Sequence, residues 1–240
     1  MDYLREDEGY INPQAEQGFL TSGRASAFMR MVYTTMTLGL ALTGFTAWMV
    51  SQDPQVMEFI HTGAMRWIVM LAPLGFVLAL SFGINRMSYG TASLVFAIYS
   101  FVMGLWLSYI FYMFSMGAIF KAFFVTGATF GAMSLIGYTT KVDLSKMGSI
   151  LYMALIGLII AMVVNWFLGS SGLDFIISIL GVIIFAGLTA WDTQNLLRYG
   201  AYADDSGESM RKVGLIGALG LYLNFINLFL FLLRLMGGDD

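Results

Sequence analysis

No charged residue interrupts residues 31–52, 67–85, 87–120, 122–140, 147–173, 175–191 or 213–233. A helix needs roughly 20 apolar residues to cross the hydrocarbon core of a bilayer, and each of these runs has about that length or more. The chain as a whole is 58% hydrophobic and 11% charged, against about 25% charged residues in an ordinary soluble domain. A water-soluble fold would need nearly every helix to be apolar all round. Barrel strands would alternate apolar and polar residues over segments of about 10, and these runs do not alternate. The pattern predicts an all-α integral membrane protein. The run 87–120 is too long for one span, and Ser115-Met116-Gly117 supplies a short turn inside it. Seven helices are therefore expected, at about 28–51, 65–84, 90–114, 117–139, 148–168, 173–197 and 213–236.

The ends and loops carry the charge. Residues 1–27 hold Asp2, Glu6, Asp7, Glu8 and Glu16 and lack the basic segment and apolar stretch of a signal peptide. They read as an acidic, solvated tail ahead of a membrane domain over 28–236, with a short acidic end over 237–240. With seven spans, nine basic residues (Arg5, Arg24, Arg30, Arg86, Lys141, Lys146, Arg198, Arg211 and Lys212) share one side with the N-terminus, and three (Arg66, Lys121 and Arg234) lie on the other. The positive-inside bias puts the N-terminus in the cytoplasm and the C-terminus outside. The absence of cysteine excludes disulfides and thiolate chemistry, and no basic run points to nucleic acid.

Within the apolar segments a few groups are out of place. Asp192 lies deep in the sixth run, and a carboxylate at membrane depth costs roughly 2.5–3.5 kcal/mol or more, which marks it as a functional candidate. Asn195 follows three positions later, on the same helix face. Asn224 and Asn227 repeat that spacing in the seventh helix. Unpartnered polar groups are costly in hydrocarbon, so the two helices are expected to face each other through these side chains. Arg86, at the end of the second helix, is the expected counter-ion of Asp192. The cluster is either a clasp that fixes helix packing or a protonation-dependent latch beside an ion path. Elsewhere, Gly127 and Gly131 form a GxxxG pair and Gly214, Gly217 and Gly220 line one helix face. Both sets are expected to serve close helix packing within the chain, with a dimer seam as the alternative. Pro73 is expected to kink the second helix.

The stretches Ala190-Trp191-Asp192-Thr193-Gln194-Asn195 and Ala218-Leu219-Gly220-Leu221-Tyr222-Leu223-Asn224-Phe225-Ile226-Asn227-Leu228-Phe229, with the closing Leu232-Leu233-Arg234, resemble bacterial members of the Bax inhibitor-1 (transmembrane Bax inhibitor motif) family. The resemblance implies seven helices with the last central and wrapped by the other six, in the bacterial inner membrane, and a pH-sensitive calcium leak gated by two hydrogen-bonded aspartates. Asp192 matches the first aspartate; the second is Asn224 here. An Asp–Asn pair keeps a hydrogen bond but loses the like-charge repulsion that makes two carboxylates titrate near neutral pH. Asp192 alone is also a weak calcium ligand, since calcium prefers several oxygens including carboxylates.

The leading expectation is therefore a cation (calcium) leak channel or exchanger gated around Asp192, with Asn224, Arg86, Asn195 and Asn227 beside the path. Its partners are the bilayer and calcium or protons, with no cofactor beyond a calcium ion. The alternative is a regulatory membrane protein that restrains a partner such as a membrane protease, with the acidic tail as its handle. An enzyme is not expected. The one histidine, His61, falls in an outer loop with Glu58, away from any helix that could present it to a serine, and zinc needs more N or S ligands than this chain offers.

Overall fold

The computed structural model describes residues 13–202 and 207–237, and every long element among them is helical. In chain order these are α1 (Pro13–Ser51), α2 (Pro54–His61), α3 (Gly63–Gly83), a single turn over Ile84–Arg86, α4 (Tyr89–Leu107), α5 (Ile110–Met113), α6 (Met116–Thr139), α7 (Ser145–Leu168), α8 (Ser171–Tyr202) and α9 (Glu208–Met236). The breaks have local causes. Ser88 and Ser115 cap α4 and α6 by accepting from the amides of Thr91 and Ala118, each at 3.2 Å. Gly169 ends α7 in the left-handed region at φ 61°.

Six helical segments are long and apolar enough to cross a membrane: Gly63–Arg86, Tyr89–Met113, Met116–Thr139, Ser145–Leu168, Ser171–Ala201 and Glu208–Met236. The expected first span is not among them. It lies within α1, where Thr34, Thr35, Thr37, Thr43 and Thr46 dilute an otherwise charge-free run. Two boundaries differ from the sequence expectation. Helix α1 starts at Pro13, so 13–27 is helical and Ala25 is buried, where a solvated tail was expected; residues 1–12 lie outside those described. The first outer loop contains α2, started by Asp53, whose carboxylate accepts from the amides of Gln55 and Val56 at 2.9 and 3.3 Å, with Pro54 in the first turn. The acidic end over 238–240 is likewise outside the described residues.

The helices differ sharply in burial. The buried share of the most apolar window is 11% in α7 and 61% in α9, so α7 presents most of its surface outward and α9 is enclosed. Helix α9 packs against α1, α4, α6 and α8, whereas α3 packs chiefly on α4, and α7 on α8. Buried Tyr99, Tyr222, Leu188, Leu221 and Leu228 anchor the core around α9. At one polar point inside it, Thr43 bonds Tyr222 Oη at 2.7 Å and donates to the Ser100 carbonyl at 2.8 Å.

The glycines divide by use. A Cβ on Gly137 would fall on the Ala190 carbonyl, and one on Gly214 or Gly217 on Met31 or Leu196, so these positions hold close crossings. Around Gly127 and Gly131 a Cβ would meet nothing, which corrects the expectation that this GxxxG serves packing within the chain: it faces outward. Gly220 also meets nothing, because it borders a cavity.

Candidate functional site

The four residues Asp192-Thr193-Gln194-Asn195 occupy one turn of α8 and point to four different places. Asn224 Nδ2 on α9 donates to Asp192 Oδ2 at 2.6 Å. Thr193, fully buried, bonds Tyr33 Oη of α1 at 3.0 Å. Gln194, 5% exposed, clamps the α6–α7 connection: its Nε2 donates to the Val142 carbonyl at 2.8 Å and its Oε1 accepts from the Leu144 amide at 2.9 Å. Asn195 makes no hydrogen bond with the described residues and lines a cavity. Successive helix residues are about 100° apart, so one turn reaches every neighbour of α8. Next to this turn, Trp191 lies over Gly148 of α7, where no side chain could fit, and meets Tyr152 edge-on at 5.5 Å. One turn further along α8, Arg198 pairs with Asp143 at 2.9 Å in the same connection that Gln194 holds.

The cavity has a volume of about 830 Å³ and lies between α3, α4, α7, α8 and α9. Its lining holds Asp192, Asn195, Asn224 and Asn227 as a polar group among apolar and aromatic side chains, and among the described residues Asp192 is the sole charged one in it. The pair Asp192–Asn224 sits at the wall that α8 and α9 share. The Asp192 carboxylate accepts one short bond from an amide, a charge-assisted contact that is roughly twice as strong as a neutral one. Asn227 turns its Nδ2 to the Leu223 carbonyl of its own helix at 2.8 Å, leaving its side-chain oxygen free.

Arg86 does not join this group. It is exposed in the turn after α3, it borders no part of the cavity, and no ion pair links it to Asp192 among the described residues. The sequence reading placed both groups on one side of the membrane. Sharing a side does not set direction, and the turn over Ile84–Arg86 leaves the guanidinium in the open, where no desolvation forces it to find a partner. The charge of Asp192 is met by an amide instead.

His61 is also placed differently from expectation. It ends α2, and its Nε2 lies 2.9 Å from Ser108 Oγ at the end of α4. Ser108 Oγ itself donates to the Leu105 carbonyl at 2.7 Å. Ser108 Oγ is thus shared between a backbone carbonyl and the imidazole, whose donor or acceptor role follows its tautomer. Burial and the nearby Arg66 both hold the imidazole below its usual range. No group of three or more His, Cys, Asp or Glu suited to a metal ion occurs among the described residues.

Thr193 and Gln194 were not singled out by sequence, although both are buried and both bridge elements. Their signal was available: two hydrogen-bonding side chains directly after an aspartate inside an apolar helix need partners as much as the aspartate does.

Comparison with known proteins adds the following. The family model described as inhibitor of apoptosis-promoting Bax1 matches residues 25–240. The inner membrane protein YbhL of Escherichia coli is 44% identical over 239 residues, covering 99% of each chain. A protein of Borreliella burgdorferi is 43% identical over 211 residues, covering 88% of this chain and 91% of its own. The Rickettsia prowazekii protein RP147 is 44% identical over 213 residues, covering 88% and 89%.

Proposed function

The chain belongs to the Bax inhibitor-1 family, and from that premise we propose that it is a multi-pass inner-membrane protein that leaks cations through the cavity beside α9, with the Asp192–Asn224 hydrogen bond as its pH-sensitive latch. In this reading α1 supplies the first of seven spans, α9 is the central helix, the N-terminus is cytoplasmic and the C-terminus lies outside. Calcium is the cation that the family resemblance implies.

The observation that carries the proposal is the 2.6 Å contact between a lone carboxylate and an amide on the shared wall of a cavity with no other charge. With Asp192 ionised, a cation at the cavity meets one attractive group and no repulsive one among the described residues. While Asp192 is ionised, its bond to Asn224 is charge-assisted and ties α8 to α9. Protonation turns it into a neutral bond of roughly half the strength, and the two helices loosen. Asn224 can still accept from a protonated Asp192, so the latch weakens without becoming repulsive. Low pH therefore favours the open path. The single carboxylate and the scarcity of other anionic oxygens favour transit over storage, because calcium sites that retain the ion use 6–8 oxygen ligands.

Ion flux from liposomes loaded with calcium, potassium or protons, read against pH, tests this. Wild type is expected to leak more as the pH falls, and Asp192→Asn to leak at a level independent of pH. A pH profile in the mutant that matches wild type would overturn the proposal.

A further inference from the structure

We propose that the cavity between α3 and α7 is a binding site for an amphiphilic ammonium, a molecule with one cationic amine head and an apolar body. The inference goes beyond the leak, since binding requires no ion to pass.

Size and wall chemistry suit an organic occupant. The volume of about 830 Å³ falls within the roughly 300–1,000 Å³ of small-molecule sites, which are mostly apolar with a few convergent polar groups. A bare cation would leave most of it unfilled. The lining carries Asp192 as its one charge, and no lysine, arginine or histidine opposes a positive head group. The unused hydrogen-bonding capacity includes several acceptors. One Asp192 oxygen takes the Asn224 amide, and the other remains open. The side-chain oxygen of Asn227 is free because its nitrogen is committed to Leu223. The Asn195 amide is unengaged. Tyr99 Oη, buried and lining the same cavity, has no partner among the described residues. An ammonium brings three donors and no acceptor, which suits the open oxygens of Asp192 and Asn227. Trp191 and Tyr152, beside Asp192, offer ring faces that attract a cation within about 6 Å.

The route in points to an apolar body. Leu74 of α3 and Ile159 of α7 line the cavity and are 59% and 52% exposed. Helix α3 packs chiefly on α4 and α7 on α8, and we place the portal of the cavity in the gap between α3 and α7. A ligand using that portal arrives from the bilayer. The ammonium could be the head group of an aminolipid or a free lipophilic amine, and the two are separable by experiment.

The test uses the full chain in phosphatidylcholine nanodiscs, with the exposed Trp48, Trp67 and Trp166 replaced by phenylalanine. Trp106 and Trp191, both lining the cavity, then report alone. The probe is ω-bromododecylamine, whose bromine quenches indole fluorescence at short range. Saturable quenching is expected, with binding weaker by about tenfold or more for ω-bromododecanol and for Asp192→Asn, and retained in Asp192→Glu. Quenching that does not saturate, or equal affinity for the alcohol and the amine, would overturn the proposal. So would an Asp192→Asn protein of unchanged melting temperature that binds the amine as wild type does. If that variant fails to fold, the comparison of amine with alcohol on the parent protein decides alone. Replacing part of the phosphatidylcholine with phosphatidylethanolamine then assigns the site. A raised apparent Kd for the amine marks an aminolipid head group, an unchanged one a free amine, and either supports the site. Failure of the leak would appear in liposome flux and leave these readings unmoved.

Discussion

At the scale of single residues, what a side chain does here depends on its immediate neighbour more than on its type. Gly137 and Gly127 are both helical glycines of α6, yet only one is needed. A methyl group on Gly137 would fall on the Ala190 carbonyl, which is backbone and cannot rotate away, while one on Gly127 would meet nothing. Gly137→Ala is expected to destabilise the protein by about 1–3 kcal/mol, as overpacking does, and Gly127→Ala, at an open helical position, to stabilise it by about 0.5–1 kcal/mol; thermal unfolding in detergent separates them. Asp143 shows the same dependence in its charge. The side chain and the amide of Ser145, then Arg198, hold its carboxyl down to about 2, below its ordinary 3.8. A depressed carboxyl stabilises only while ionised, so this clasp is complete above about pH 4 and is lost as the pH falls towards 2. Ser145→Ala is expected to move the carboxyl of Asp143 back towards its ordinary value, measured by carbon NMR of labelled aspartate.

At the scale of elements, α8 is the helix through which the others are held. Its turn Asp192–Asn195 touches α9, α1, the α6–α7 connection and the cavity. In the connection, Gln194 replaces missing backbone partners for Val142 and Leu144. Gln194→Ala is expected to speed amide exchange over residues 140–145 while leaving the pH profile of ion flux in place. A loss of the pH profile in that variant would mean that the connection, rather than the Asp192–Asn224 bond, sets the gate. The opposite end of the bundle has its own tie, from His61 of α2 to Ser108 at the end of α4. Most long helices end where apolar runs meet serine or glycine, which is why those boundaries were legible, whereas the start of α1 at Pro13 was not. The short helix α2 was not, because an 8-residue amphipathic segment is too brief for a period to stand out from loop composition.

At the scale of the whole molecule, the substitution with the widest expected consequence is Asn224→Asp. Asn224→Asp would place two carboxyl groups at the contact now made by Asp192 and Asn224 at 2.6 Å. Both cannot ionise cheaply, so one retains a proton until higher pH. That variant is expected to show a steeper pH dependence and a larger calcium leak than wild type in liposomes. Much of this architecture was readable in advance. Charge-free runs fixed an all-helical membrane protein and the approximate position of every long helix, because a bilayer admits few ways to satisfy a backbone. The spacing of Asp192, Asn195, Asn224 and Asn227 identified two helix faces that had to meet. Direction was not readable. Arg86 was expected at Asp192 and stands exposed instead, the GxxxG of α6 was expected inside and faces outward, and His61 was expected in a loop and bonds a buried serine. Sequence periodicity says which residues share a face; only the packing of the other helices decides what that face meets. The sequence by itself determined the solvent, the helices and the one costly charge, since these follow from hydrophobicity and local spacing. The tertiary structure decided that the charge is answered by Asn224 on the wall of a cavity bounded by α3, α4, α7, α8 and α9, because partners far apart in the chain are chosen by how the helices pack.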